Sequence, residues 1–278
     1  MLRIFTDTAA NIPPHLLEQY HITAMPLTYL LDGQPTELVG HDYYEAMRKG
    51  AEVKTSLVSP ALIRDTMESA LKDGDDVLYI AISGGISGTC WSAELMAEEL
   101  RGEYPDRMIR VLNTCGASLG EGLVVLEAAK MLEKGCTADE IIRQAEENCG
   151  RMRQFFMVDD LKYLRRGGRI SAAAQVAGSL LKIKPILQSD PEGHIIQHSK
   201  VRGQLKAMET LAELYKEYAV DGTRTVGIAH ADCPDGALRL QAKLRDAGEI
   251  LSVCYEPVTG GHVGPGTVAL FFFGEVWR

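Results

Sequence analysis

The 278-residue sequence lacks the paired cysteines, long apolar runs and basic clusters that mark several common classes of protein. Its six cysteines are scattered and no two stand as Cys-x-x-Cys, so neither a redox motif nor a zinc ribbon is predicted. No lysine or arginine run exceeds two residues and the formal net charge is −9, which argues against nucleic-acid binding. The longest apolar stretches, such as residues 268–273, are far shorter than the roughly 20 residues that span a bilayer, so no transmembrane segment is expected.

The N-terminal residues lack the apolar core of a secretory signal. Together with scattered cysteines, which behave as small buried hydrophobes in a reducing compartment, this predicts a cytoplasmic protein. No metal site is expected, because His194 and His198 are four residues apart in a strand-like run and not on a helix face. The sequence leaves open whether the protein makes transient contact with a membrane surface.

The first half of the chain alternates strand and helix signals, which predicts a mostly parallel sheet. Predicted strands cover residues 2–6, 24–30, 77–82 and 108–112. Ser59 is expected to cap a helix that has Pro60 at its first position. Thr137 and Glu140 form a capping-box pattern at the start of another helix. We predict an N-terminal α/β domain over residues 1–152.

The pattern changes after about residue 153. Two strand-like runs flank Asp190-Pro191-Glu192-Gly193, whose proline and glycine positions suit a type I turn and predict a β-hairpin over residues 183–200. Helices are predicted over residues 205–218 and 236–247, with strands between and after them. The predicted fold class is therefore α/β with two domains, the second (153–278) having a mixed or antiparallel sheet.

Residues 259–266 pack four glycines, a proline and His262 between two apolar runs, which predicts a loop between two strands. Glycines let main-chain N–H groups approach a ligand closely, and histidine readily exchanges a proton near neutral pH. The segment has two interpretations: a functional loop that carries His262, or a tight turn with a solvated histidine.

Residues 83–89 follow a buried strand and lead into a helix. Unpaired N–H groups and the positive end of the helix dipole favour an anion there, and Ser87 and Thr89 add hydroxyl donors. The segment matches neither a P-loop nor a dinucleotide-binding fingerprint. Thr55 and Ser56 form a second hydroxyl pair upstream of a helix start, although such pairs often serve only local turns.

A serine hydrolase is the alternative enzymatic interpretation. Ser87, then Asp159 or Asp232, then His262 follow the chain order of α/β-hydrolase triads. However, residues 85–89 lack the second glycine of a nucleophile elbow, and Ser87 stands five residues beyond the predicted strand end.

Eight segments in register along essentially the whole chain form one pattern. They are TDTAAN (6–11), TSLVSP (55–60), ISGGISGT (82–89), VDDLKYL (158–164), GGRIS (167–171), LLKIKPIL (180–187), KVR (200–202) and HVGPG (262–266). Taken together, these segments resemble the DegV family, which includes the fatty-acid-binding subunit of bacterial fatty acid kinase.

The resemblance implies a two-domain α/β protein that is not itself an enzyme and holds one long-chain fatty acid in an internal pocket. By motif match, Thr55 and Ser87 bind the carboxylate, His262 completes the network, and Ser56 and Ser83 are further candidates. An ATP-binding kinase subunit is the implied partner, which converts the carboxylate to an acyl phosphate, so no cofactor is expected on this chain. Arg202 matches a position that serves engagement of the kinase.

The sequence departs from the family pattern beside these residues. Asp7-Thr8 and Asn113-Thr114 stand where Asp-Ser is common, and Ser83-Gly84 replaces the usual Ser-Ser. The proposed carboxylate ligands are present. The departures leave the preferred acyl chain and the kinase pairing open. A regulatory interaction protein whose lipid is purely structural is a further alternative.

Overall fold

A computed structural model describes residues 1–170, 183–220 and 224–278 of the chain. The chain forms two compact units. Unit 1 consists of Met1–Thr28 and Ser56–Gly150, and unit 2 of Tyr29–Thr55 and Arg151–Arg278.

The described residues form thirteen strands and ten helices. The strands are β1 (Leu2–Asp7), β2 (Thr23–Met25), β3 (Thr28–Leu31), β4 (Gln34–Pro35), β5 (Val53–Ser56), β6 (Asp76–Ala81), β7 (Ile109–Asn113), β8 (Met152–Met157), β9 (Ile183–Ser189), β10 (Ile195–Arg202), β11 (Val226–His230), β12 (Ile250–Cys254) and β13 (Val268–Phe273). The helices are α1 (Pro14–Gln19), α2 (Gly40–Arg48), α3 (Pro60–Lys72), α4 (Thr89–Glu103), α5 (Leu119–Glu133), α6 (Ala138–Arg151), α7 (Lys162–Arg166), α8 (Gln204–Tyr218), α9 (Pro234–Gln241) and α10 (Pro257–Val263), with a 3-10 turn at Thr8–Ala10.

Unit 1 has a four-stranded parallel sheet in the order β2-β1-β6-β7. The central strand β6 is buried along nearly its whole length, as expected for a parallel sheet with helices on both faces. The strand order reverses between β1 and β6, and ligands of open α/β sheets bind at the carboxyl ends of strands beside such a reversal. The parallel sheet predicted for the first half is confirmed.

Unit 2 has a six-stranded mixed sheet in the order β10-β9-β8-β13-β11-β12. Every neighbouring pair is antiparallel except β11 and β12. All six residues of β13 are buried, and α8 and α9 pack on one sheet face around Met208, Leu211 and Leu240. The mixed sheet predicted for the second half is also confirmed.

The segment Tyr29–Thr55 groups with the C-terminal residues, whereas the sequence predicts contiguous domains over residues 1–152 and 153–278. It contains α2, whose Tyr43 hydroxyl donates to the Pro257 carbonyl at 2.7 Å and whose Tyr44 hydroxyl donates to the Tyr255 carbonyl at 3.0 Å. These bonds join residues more than 200 positions apart. Local sequence patterns carry no signal for such pairings, so the observed units differ from the predicted domains.

Several local predictions are confirmed. Thr137 and Glu140 make the reciprocal capping-box hydrogen bonds, and β9 and β10 form the predicted hairpin, with the Gly193 N–H donating to the Asp190 carbonyl. The predicted strand over residues 24–30 is wrong as one element: it divides into β2 and β3 around Pro26, which has no N–H to donate.

Two helix ends differ from prediction. Ser59 precedes α3 as expected, with Pro60 at its first position, but its side chain makes no capping hydrogen bond. Helix α9 ends at Gln241, six residues before the predicted end. Among the described residues, no helix has both the length and the apolar character needed to cross a bilayer.

Candidate functional site

The glycine-rich segment around His262 is helical, so the predicted loop over residues 259–266 is wrong for its first part. Helix α10 runs from Pro257 to Val263 and has a proline at its first position. The half-buried Glu256 carboxylate caps it by accepting hydrogen bonds from the N–H groups of Val258 and Thr259. Proline and a carboxylate at the N-terminus therefore offset the low helix propensity of the glycines.

The glycines of α10 are required by close packing. A Cβ atom on Gly260 would lie 1.9 Å from the Tyr44 hydroxyl oxygen, and one on Gly261 would lie 2.6 Å from that of Tyr43. Both tyrosine side chains are fully buried. The absence of side chains at these two positions lets α10 lie directly on α2, which fixes the helix that carries His262.

Thr55 and His262 form a hydrogen-bonded pair within unit 2. The Thr55 Oγ1 and the His262 Nε2 are 2.9 Å apart. Thr55 lies in β5, near the end of the Tyr29–Thr55 segment, and His262 lies in the last turn of α10. The structure thus brings together two of the five residues predicted to bind the carboxylate, although 207 positions separate them.

Gly167 lies against the Nδ1 side of the His262 imidazole, and Thr55 lies at its Nε2. A Cβ atom on Gly167 would lie 2.2 Å from the His262 Nδ1, so only glycine leaves room for the ring. Gly167 is the first residue of the Gly-Gly-Arg segment, whose packing role sequence reasoning missed. The only signal for it was the pair of glycines itself. A small pocket adjoins the ring; its lining includes Met47, Ala51, Val53, Tyr163, Arg166, Gly167, Gly261 and His262.

His262 is a neutral hydrogen-bonding group at neutral pH. Burial, together with the positive charge of Arg169, lowers the pKa of His262 from 6.5 to about 4. The Arg169 guanidinium is held by the Gly167 carbonyl oxygen. A neutral imidazole has one donor and one acceptor nitrogen, so His262 can orient the Thr55 hydroxyl without adding a positive charge.

The lowered pKa predicts a specific pH dependence of stability. Between pH 6.5 and about 4 the unfolded chain binds a proton at residue 262 that the folded chain does not, so the free energy of unfolding falls as pH falls. The loss should reach at most about 3 kcal/mol. Urea unfolding of lipid-free protein at pH 7.5 and 4.5 should show a smaller pH difference for His262→Gln than for wild type.

The control for this experiment is His15→Gln, at an exposed position of α1. It should keep the wild-type pH difference. Equal pH dependence of wild type and His262→Gln would mean that the imidazole is protonated in the folded chain as readily as in the unfolded one.

The predicted anion loop lies in unit 1 between β6 and α4. Ser83 is fully buried; its carbonyl accepts the N–H groups of Ile86 and Ser87, and its Oγ accepts the N–H of Gly85. The Ser87 hydroxyl is half-buried, lies 3.0 Å from the Thr89 Oγ1, and accepts the Thr89 N–H. Ser87 therefore lies at the N-terminus of α4, where the helix dipole favours an anion.

Two further polar residues hold this loop in place. The buried Asp7 carboxylate accepts the Ile82 N–H at 3.2 Å, and the Asn113 Oδ1 accepts the Gly84 N–H at 3.1 Å. Asp7 ends β1 and Asn113 ends β7, so both lie at the carboxyl edge of the sheet. The sequence identifies Asp7 only as part of a resembling segment and Asn113 only as a departure from the family pattern, but their hydrogen bonds make both residues supports of the loop.

The other predicted site residues have simpler surroundings. Ser56 is exposed at the end of β5, and Arg202 is exposed at the end of β10. The two acids of the hydrolase alternative have basic partners: Asp159 pairs with Lys184, and Asp232 with Arg48 and His41. His262 is hydrogen-bonded to Thr55 and is not among these partners.

One cluster of metal-ligand types occurs in the described residues. Asp190, Glu192 and His194 lie together on the β9–β10 turn. The Asp190 carboxylate accepts the His194 N–H at 2.8 Å and lies 3.3 Å from its imidazole. These bonds close the turn locally, and the cluster is largely exposed.

Fold and site together define a two-unit α/β protein in which hydroxyl groups, a helix N-terminus and a neutral histidine are the prominent polar features. The chain belongs to the DegV family: a family model described as "Uncharacterised protein, DegV family" matches residues 1–275. It is 36% identical to the DegV domain-containing protein CPE0026 of Clostridium perfringens, over 98% of this chain and 97% of that protein.

Solved structures of the family share the fold and bind fatty acids. A DegV family protein from Thermus thermophilus, described by its fatty acid binding, matches with a TM-score of 0.89 and 30% identity over 98% of this chain and 99% of that chain. A Ruminococcus gnavus DegV family protein with vaccenic acid matches with a TM-score of 0.88 and 25% identity over 97% and 99%. Residues 171 and 180–182 of the resembling segments lie outside the described residues.

Proposed function

We propose that this chain binds one long-chain fatty acid and presents its carboxylate to an ATP-dependent kinase subunit. The membership of the DegV family supports the lipid part, because structures of its members carry fatty acids. The observation that carries the head-group assignment is the 2.9 Å contact between Thr55 and His262. Thr55 and Ser87 are the proposed carboxylate ligands, His262 orients Thr55, and Ser56 and Ser83 are further candidates.

The energetics favour a site of this composition. Burial of a C16 chain contributes about 0.8 kcal/mol per methylene, roughly 12 kcal/mol before the costs of ordering. Affinity can therefore come from the acyl chain. The head group then needs only enough hydrogen bonds to offset its desolvation, which hydroxyl and helix N-terminal donors supply without an arginine clamp.

The proposed role of His262 depends on which ring nitrogen carries its proton. If Nε2 is protonated, it donates to the Thr55 oxygen, and the Thr55 hydroxyl proton remains for the carboxylate. The neutral state of His262 at pH 7 fits this arrangement, because a cation beside the carboxylate would reduce its nucleophilicity. The histidine thus directs a donor toward the ligand and leaves the negative charge available.

The proposed reaction needs a partner that holds ATP. One carboxylate oxygen attacks the γ-phosphorus of ATP; the new O–P bond forms as the bond from the γ-phosphorus to the β,γ-bridging oxygen breaks, and ADP leaves with that oxygen. This chain supplies the positioned carboxylate, and the kinase subunit supplies ATP and the charges that stabilise the transferring phosphoryl group. Arg202, exposed at the end of β10, is the proposed residue for engaging the kinase.

Lipid extraction tests the proposed function directly. Protein purified from a bacterial host, denatured and extracted should release close to one fatty acid per chain, measured by mass spectrometry. Thr55→Val and Ser87→Ala each remove one donor; a lost hydrogen bond to a charged group costs about 1.5–3 kcal/mol, so affinity for oleate should fall about 10- to 100-fold. Thr55→Ser is the matched control and should retain affinity within about threefold.

An empty protein that takes up neither palmitate nor oleate would contradict the proposal. The hydrolase alternative predicts instead that a fluorophosphonate labels Ser87 covalently. Retained lipid without labelling would exclude that alternative, and we expect this result because Asp159 and Asp232 pair with basic residues.

A further inference from the structure

Unit 1 exposes four large apolar side chains next to the proposed carboxylate loop. They are Leu57, Leu62, Trp91 and Leu95, called the α3–α4 apolar patch below. Trp91 is 67% exposed and Leu95 61% exposed. Residues four apart lie on one helix face, so these two side chains share the outer face of α4, and α3, which carries Leu62, packs against that helix.

The patch is continuous with the loop. The Trp91 Nε1 donates to the Gly84 carbonyl at 3.4 Å, so the indole lies over the first turn of the loop. Leu57 contacts the other end: its Cδ2 would lie 3.2 Å from a Cβ atom on Gly88. Any protein that reaches a ligand at Ser87 through this face must cover Trp91 and Leu57.

Charge around the patch selects among possible occupants. Helix α4 carries four glutamates and one arginine. Arg101 pairs with Glu94 and Glu98, and Arg64 pairs with Glu99 and Glu103, all in solvent-accessible ion pairs. These four glutamates outnumber the two arginines, so the rim carries a net negative charge. Because exposed ion pairs are weak, the glutamates can exchange these arginines for basic groups of a partner.

We propose that the α3–α4 apolar patch is the docking surface for the ATP-binding kinase subunit, which rests on the proposed function. A subunit that binds ATP surrounds the phosphates with lysine or arginine. These basic residues of the kinase subunit complement the glutamates of α4. Tryptophan is enriched among the anchor residues of protein interfaces, and Trp91 is the most exposed side chain of this patch. An acidic helix would instead be repelled by an anionic bilayer.

Titration of the fatty-acid-loaded full chain with the ATP-binding subunit from the same genome tests this surface. Trp91→Ala and Leu95→Ala should each raise the Kd at least tenfold, with bound fatty acid unchanged within twofold. Leu238→Ala, at a leucine 62% exposed on α9, is the matched control and should leave the Kd within twofold. Raising NaCl from 50 to 500 mM should also weaken wild-type binding, because the rim is charged.

Three outcomes would overturn the assignment. Equal Kd values for wild type and both variants, with kinase binding intact, would refute this surface and leave the proposed function standing. A wild-type chain that carries fatty acid but does not bind the kinase subunit would refute both the surface and the kinase part of the function. The third is that Trp91→Ala affects only binding to phosphatidylglycerol vesicles, or only self-association in sedimentation, which would assign the patch to a bilayer or to a second copy.

Discussion

Replacing Gly264 with alanine is expected to lower the free energy of unfolding by about 3–4 kcal/mol. Gly264 ends α10 with φ +81° and ψ 160°, a region that is essentially restricted to glycine and costs other residues about 1–3 kcal/mol. A Cβ atom there would also lie 2.1 Å from Cδ2 of the buried Tyr163 ring, and such overpacking costs about 1–3 kcal/mol. Urea unfolding followed by far-UV circular dichroism measures the loss.

Gly102→Ala is the control for a glycine without these constraints. Gly102 is exposed in α4 and a Cβ atom there meets nothing within 4 Å. Alanine should therefore stabilise the helix by up to about 1 kcal/mol. If Gly264→Ala unfolds within about 1 kcal/mol of wild type, Tyr163 must be able to move aside, and α10 would be less firmly held than its packing indicates.

The parts of the fold that the sequence predicted well depend on local chemistry. The capping-box residues Thr137 and Glu140 satisfy each other's backbone donors within one turn. The β9–β10 hairpin closes through residues 190–193, whose proline and glycine suit the turn. Ser83 and Ser87 were placed correctly between β6 and α4, because a buried apolar strand followed by small polar residues identifies that junction.

The parts that the sequence missed depend on contacts between distant residues. Residues 259–266 are predicted as a loop because their four glycines oppose a helix locally, whereas the buried Tyr43 and Tyr44 side chains require two of these glycines, Gly260 and Gly261, within α10. Only the family resemblance implies that Thr55 and His262 serve one site, and the structure adds their direct contact at 2.9 Å. Neither the residue types nor their spacing in the sequence indicates a contact between two positions that are 207 residues apart.

The same packing gives the candidate site its chemical character. His262 is confined between Gly167 on one side and Thr55 at its Nε2, and its burial keeps the ring neutral. A histidine in a solvated loop would instead titrate near its ordinary pKa and change orientation freely. The helix and its close contacts therefore favour a fixed hydrogen-bonding role over proton exchange.

His262→Ala is expected to separate lipid binding from phosphorylation. Loss of the imidazole leaves the acyl chain's burial intact, so bound oleate should stay within about threefold of wild type. The Thr55 hydroxyl can still donate to the carboxylate, but without its partner at 2.9 Å its direction is no longer fixed, and a misplaced reacting group costs about 100-fold in rate. Acyl phosphate formed with ATP and the kinase subunit, trapped as the hydroxamate, should fall by about that factor.

Three comparison variants make the result specific. His262→Gln keeps an amide donor that can reach the Thr55 oxygen, so it should recover at least a tenth of the wild-type rate. His15→Ala, at an exposed position in α1, should have no effect. Arg202→Ala should also retain oleate, but its defect should appear as weaker kinase binding, whereas His262→Ala should bind the kinase normally and turn over slowly. Parallel loss of oleate and rate in His262→Ala would instead make His262 a determinant of affinity, and the proposed orientation of Thr55 would be wrong.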